Sequence, residues 1–132
     1  MKNSCVQIYC GDGKGKTTAA VGLAVRASGA KLSVLFMQFM KNGTSSEIGQ
    51  LKAMEYVTVA TVENPFGFTW NMTEDEKQSL RKRNTEAVIQ CMQYIEQKQY
   101  DVMILDEIIS AYQNELVDQN LVEQLVQNHG ET

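Results

Sequence analysis

A glycine-rich run at one joint of the chain, Cys10-Gly-Asp-Gly-Lys-Gly-Lys-Thr-Thr18, constrains the fold more than any other stretch. Ahead of it stands a short apolar segment, Val6-Gln-Ile-Tyr9. Behind it an Ala- and Leu-rich helical pattern runs from Thr17 to Ala27, with Gly29 placed to cap it. In a strand–loop–helix order, glycines let the backbone turn its N–H groups inward as an anion-binding nest, and the helix end adds positive potential. Lys16 brings a positive charge to the same spot, and Thr17 brings a hydroxyl suited to Mg²⁺. The general pattern has a glycine five positions before Gly15. Here Cys10 occupies that position and Gly11 follows, so the loop is a variant of the phosphate-binding type.

Downstream, short β-branched and apolar runs alternate with longer helical patterns, which predicts a parallel sheet flanked by helices. Four strands are expected: Val6 to Tyr9, Ser33 to Phe39, Tyr56 to Val62 and Val102 to Leu105. Thr73-Glu-Asp-Glu76 is a capping box opening a helix whose apolar positions, Leu80, Ala87, Val88, Cys91 and Ile95, keep the helical period. Arg81-Lys-Arg83 on that helix reads as a solvated face. A last helix, Gln119 to Gln127, follows a cap at Asp118. The expected fold is therefore α/β, with an open, mostly parallel sheet, and a length of 132 residues supports one domain, 1–132.

Composition narrows the partners. A net charge of −4 argues against a general nucleic-acid surface, which needs a basic face to release counterions. Cys5, Cys10 and Cys91 are odd in number and unevenly spaced. They suggest neither a disulfide framework nor a zinc site, and reduced thiols point to the cytoplasm. No run approaches the roughly 18 apolar residues of a membrane span, so neither export nor a membrane partner is expected.

A second chemical feature is Tyr100-Asp-Val-Met-Ile-Leu-Asp106-Glu107, an apolar strand that delivers two carboxylates at its C-terminal end, the edge where open α/β sheets bind ligands. Asp106 is placed to share a Mg²⁺ shell with Thr17, while Glu107 could position a water or a metal ligand. Loop and carboxylates together indicate a nucleoside triphosphate with magnesium. They leave hydrolysis, phosphoryl transfer and rarer chemistry open.

Between the two features lie Met37-Gln-Phe-Met-Lys41, Ser46-Glu47 and Gly67-Phe-Thr-Trp70. With them the chain resembles the ATP:corrinoid adenosyltransferase family of the phosphate-loop type. Gly11, Asp12, Gly13, Lys14, Gly15, Lys16, Thr17 and Thr18 match its Gly-x-Gly-Lys-Gly-Lys-Thr-Thr loop, which also lacks the usual first glycine. Gln38, Phe39 and Lys41 match its Gln-Phe-x-Lys, Gly67 to Trp70 its Gly-Phe-Thr-Trp, and Leu105 to Glu107 its Leu-Asp-Glu.

The resemblance implies a P-loop NTPase-like fold and transfer of the 5′-deoxyadenosyl group of ATP to the Co(I) of a corrinoid, with triphosphate as leaving group and ATP bound in a reversed sense. By the same analogy, the loop residues with Gln38 and Lys41 hold the substrates, Lys16 and Glu107 serve catalysis, and Phe68 and Trp70 displace the lower axial ligand of Co(II) before reduction by a reduced flavoprotein. In the family the pattern continues beyond the position of Thr132, with a strand ending in Thr-Gly-Arg and a final strand and helix. A sheet lacking those C-terminal strands has an uncovered edge, which makes a homodimer the expected assembly. An ordinary phosphate-loop kinase or ATPase, and a non-catalytic corrinoid- or nucleotide-binding module, are the alternatives.

Overall fold

A computed structural model describes residues 4–10, 15–41 and 46–132. Its elements are α1 (Lys16–Gly29), β1 (Val34–Lys41), α2 (Ser46–Ala53), β2 (Val57–Glu63), a 3-10 turn (Thr69–Asn71), α3 (Glu74–Glu96), β3 (Val102–Asp106), α4 (Ile108–Gln113) and α5 (Gln119–Gln127). The three strands lie in the order β2-β1-β3 and both pairings are parallel, so the open parallel sheet with flanking helices is the fold observed.

Strand β1 sits in the middle and is apolar on both faces, as a central parallel strand must be. Its residues divide by the two-residue period of a strand. Val34 and Phe36 pack with Ala20, Ala24 and Ala27 of α1, Ile48 and Leu51 of α2, and Ile104. Leu35, Met37 and Phe39 pack with Leu80, Val88 and Cys91 of α3, with Ala111 of α4, and with Val122 and Leu125 of α5. Two cores thus share one strand.

The predicted helix starts are made by the side chains expected to make them. Thr73 Oγ1 accepts the Glu76 N–H at 3.2 Å, and Glu76 Oε1 accepts the Thr73 N–H at 2.9 Å. Asp118 Oδ1 accepts the N–H groups of Asn120 and Leu121 at the start of α5. Helix α1 includes Gly29 as its last residue, and Ala30 is the C-terminal cap. Arg81, Lys82 and Arg83 are exposed as expected. Two of them also make contacts: Arg81 Nη1 donates to Glu115 O, and the Arg83 guanidinium stands 5.8 Å over the Phe66 ring.

One expected strand is missing. Residues Val6 to Tyr9 are not paired into the sheet, and Val6, Ile8 and Tyr9 are exposed. Ordering a backbone costs about 1–2 kcal/mol per residue, and a four-residue parallel edge pairing gains few hydrogen bonds against that cost. Ahead of this segment, the Ser4 hydroxyl donates to Gly130 O at 2.8 Å and lies 3.3 Å from His129 Nδ1. Helices α2 and α4, too short and weakly periodic to read from sequence, fill the connections on either side of the sheet.

All three cysteines are free. Cys5 and Cys10 are exposed, whereas Cys91 is buried with its Sγ 3.7 Å from Met37 Sδ. Burial pushes the Cys91 thiol up to about 12, so the folded chain keeps it protonated through neutral pH. Iodoacetamide at neutral pH should therefore label Cys5 and Cys10 in the native chain and reach Cys91 only in denaturant, as read by mass spectrometry. An unfolded thiol ionises near 8.5, so the contribution of Cys91 to stability is intact below about pH 8.5 and is lost as pH rises toward its folded value. Urea midpoints measured against pH should fall more gently above that point in Cys91→Ala than in the parent chain.

Candidate functional site

The parallel register brings the chemistry to one edge. Gln38 of β1 and Asp106 of β3 are register partners at the C-terminal ends of their strands, which is the binding edge of an open α/β sheet. Helix α1 starts beside them. Its first intrahelical bond runs from Ala19 N–H to Gly15 O, and Gly15 has the positive φ of 99° that glycine adopts without strain. The amides ahead of that bond look out of the helix end, as in any α-helix.

Thr17, in the first turn, donates its hydroxyl to Asp106 Oδ2 at 3.1 Å, with Oδ1 at 3.3 Å. Asp106 is only 6% exposed. On its other side Gln38, equally buried, directs Nε2 at Asp106 Oδ2 from 3.5 Å, at the long limit of a hydrogen bond. Gln38 Oε1 is buried without a partner among the described residues. A buried acceptor without a donor costs about 1–3 kcal/mol.

These groups border an open cleft of about 310 Å³, lined by Thr17, Gln38, Phe39, Met40, Lys41, Glu47, Asp106 and Glu107. It thus gathers the predicted Thr17, Gln38, Lys41, Asp106 and Glu107. Lys16 is the first residue of α1, and Thr18 lies exposed in the same turn. Gly11, Asp12, Gly13 and Lys14 lie outside the described residues.

Two backbone outliers flank the cleft. Met40 has φ 56° where the β1–β2 register shifts between Gln38 and Lys41, and Glu107 has φ 66° at the start of α4. Left-handed non-glycine residues of this kind cost about 1–3 kcal/mol each and cluster at functional sites.

The donor set fits Mg²⁺. One hydroxyl and one carboxylate already within hydrogen-bonding distance supply two hard oxygens, and Mg²⁺ keeps waters and phosphate oxygens in its remaining positions. An unpartnered carbonyl oxygen beside them is suited to a hydrated ion.

Sequence reasoning did not assign Met40 or Glu47 to the site. A bulge carries no residue signature when a methionine, not a glycine, takes the positive φ. Glu47 stood in a noted segment, but only the placement of α2 turns it toward the cleft.

The aromatic pair stands apart from the cleft lining. Phe68 and Trp70 are 62% and 77% exposed, and their rings stack with centroids 4.5 Å apart and planes 4° from parallel. The loop beneath them is tied down by the buried Asn64. Its Nδ2 donates to Gly67 O at 2.9 Å, its Oδ1 accepts the Phe66 N–H at 3.1 Å, and its own N–H donates to Lys41 O at 2.7 Å. Gly67, at φ 81°, makes the turn that lifts Phe68 off the loop.

The profile of the family described as ATP:corrinoid adenosyltransferase BtuR/CobO/CobP matches residues 2–132. The corrinoid adenosyltransferase of Escherichia coli strain K12 is 32% identical over 105 residues, covering 76% of this chain and 50% of that protein. The corrinoid adenosyltransferase CobA of Salmonella typhimurium strain LT2 is 34% identical over 109 residues, with the same coverage of each. The chain spans about half the length of the curated relatives it matches.

Because Phe68 and Trp70 are exposed, their removal should scarcely affect the fold. Phe68→Ala and Trp70→Ala should each lower stability by no more than about 0.5–1.5 kcal/mol, the value of a lost aromatic stack, against about 3–5 kcal/mol for a buried ring. Urea denaturation of each variant followed by circular dichroism checks this. Trp70 is also the sole tryptophan, so iodide should quench the native fluorescence readily.

Proposed function

The chain belongs to the ATP:corrinoid adenosyltransferase family, and from that premise we propose that it transfers the 5′-deoxyadenosyl group of ATP to the cobalt of a corrinoid in adenosylcobalamin formation or salvage. The Co(I) electron pair forms a bond to C5′ of the ribose, and the C5′–O bond breaks with its electrons leaving on triphosphate. The cobalt ends as alkylated Co(III), so the electron count closes without an external oxidant.

The observation that carries this reading is the exposed, coplanar Phe68–Trp70 pair on a loop pinned by Asn64. The two large rings stack on each other and otherwise stand largely in water. They supply a flat, rigid, apolar surface that cannot coordinate a metal, suited to lying against a macrocycle and keeping an axial ligand off cobalt. A four-coordinate Co(II) is then open to reduction, and a reduced flavoprotein is the proposed donor.

At the other half of the site, Lys16 and the amides at the start of α1 stabilise the charge that grows on the departing triphosphate. Thr17 and Asp106 would hold Mg²⁺, which supplies further charge neutralisation on the same phosphates. Glu107 and Lys41 border the cleft where the adenosine end would sit in the reversed orientation. A homodimer in the cytoplasm completes the proposal; no helix among the described residues is long and apolar enough to cross a membrane.

The Thr17–Asp106 contact alone would serve a phosphate-loop kinase or hydrolase equally well, and products distinguish the readings. Incubation of ATP, Mg²⁺ and chemically reduced Co(I) corrinoid should yield a light-sensitive Co–C chromophore and inorganic triphosphate. ADP with phosphate would identify a hydrolase, and binding without turnover a carrier module.

Lys16→Ala should lower turnover by about 10²–10³-fold, the usual loss for a preorganised transition-state contact, with an unchanged melting temperature. Full turnover in the folded variant would remove Lys16 from the site. Phe68→Ala and Trp70→Ala should depress the reaction begun from Co(II) with a flavoprotein reductant far more than the reaction begun from preformed Co(I). Equal losses in the two assays would refute ligand displacement.

A further inference from the structure

We infer that Gln38 is a positioning residue for the divalent cation: it fixes Asp106 through Nε2 and takes a hydrogen bond from the cation's hydration shell through Oε1. The inference rests on the proposed ATP- and Mg²⁺-binding reading and replaces the expectation that Gln38 touches the nucleotide.

Three observations carry it. Gln38 and Asp106 are register partners at the sheet edge, so backbone pairing, not side-chain flexibility, sets their approach. Nε2 must be the atom facing Asp106, because the flipped amide would set a carbonyl oxygen against a carboxylate oxygen. Oε1 is then left buried, in a residue that lines the cleft, with no donor among the described residues.

What completes it must donate a proton. The oxygens of a fully ionised triphosphate are acceptors only, so a direct contact with them would repel Oε1. Water bound to Mg²⁺ is a strong donor, and Mg²⁺ keeps several such waters when it binds through one or two protein oxygens and phosphates. With Thr17 and Asp106 as the protein oxygens, Gln38 stands one layer behind them, holding one ligand in place and receiving a proton from the shell. A ribose hydroxyl is the competing donor, and it predicts a different experimental result.

The test separates nucleotide from metal. ATP binding is measured by isothermal titration calorimetry in EDTA and again in Mg²⁺, for the parent chain and for Gln38→Met, which keeps the length of the side chain and removes both polar atoms. Mn²⁺ binding in the presence of ATP is followed by electron paramagnetic resonance. Metal-free ATP affinity should be unchanged, while the gain in affinity conferred by Mg²⁺, and the Mn²⁺ affinity, should fall about 10–100-fold.

A drop in metal-free affinity would assign Gln38 to the nucleotide and overturn the inference. An unchanged metal effect in a variant with normal melting would leave Gln38 a mere packing residue and overturn it too. If the parent chain itself binds ATP with no response to Mg²⁺, the metal site falls and the inference with it; if the parent responds and the variant keeps that response, only the inference falls. Should Gln38→Met fail to fold, the parent chain still decides. Its Gln38 side-chain amide resonance should move when Mg²⁺ is added to the ATP-bound chain and not when ATP alone is added, and a resonance indifferent to Mg²⁺ would overturn the inference.

Discussion

Almost everything in the molecule depends on β1 being buried on both sides. Its odd and even residues are consumed by different cores, Val34 and Phe36 by one and Leu35, Met37 and Phe39 by the other. A one-residue slip of this strand would exchange the two sets and present the wrong side-chain sizes to both helix layers. That double requirement fixes the register against β3, and the register in turn sets Gln38 against Asp106. The polar end of the sheet is therefore positioned by hydrophobic packing some residues away.

Strong local signals in the sequence proved sound. The Thr73–Glu76 box and the Asp118 cap can be read because one side chain satisfies specific orphan amides at a fixed spacing, independent of the rest of the fold. The strands at 34–41, 57–63 and 102–106 can be read because they are β-branched or apolar runs bounded by polar turns. Val6 to Tyr9 carries the same signal, yet it is unpaired. Pairing is a property of two segments, and composition describes only one.

The candidate site was legible in its residue types and less so in its geometry. A hydroxyl at Thr17 and a carboxylate at Asp106 announce their chemistry, and the parallel sheet brings them to 3.1 Å. Gln38 was legible as a motif position, but its orientation toward Asp106 is a consequence of the β1–β3 register. The exposure of Phe68 and Trp70 was not readable either, since three aromatics around Pro65 suit a packed loop as well as a presented surface. The turn at Gly67 and the buried amide of Asn64 decide for presentation.

Asn64 has a further consequence for how such a site can change. Its backbone N–H is bonded to the last residue of β1, and its side chain holds the Phe66 N–H and the Gly67 carbonyl, the two residues that lead into the rings. The strand end bordering the cleft and the aromatic loop therefore share one strut. A substitution that re-aims the end of β1 re-aims the rings with it, so the cleft wall and the ring surface cannot be tuned one at a time. Altering the geometry on either side alone calls for a compensating change at position 64, which makes this modest amide the first place to look when variants of the cleft disturb a surface they do not touch.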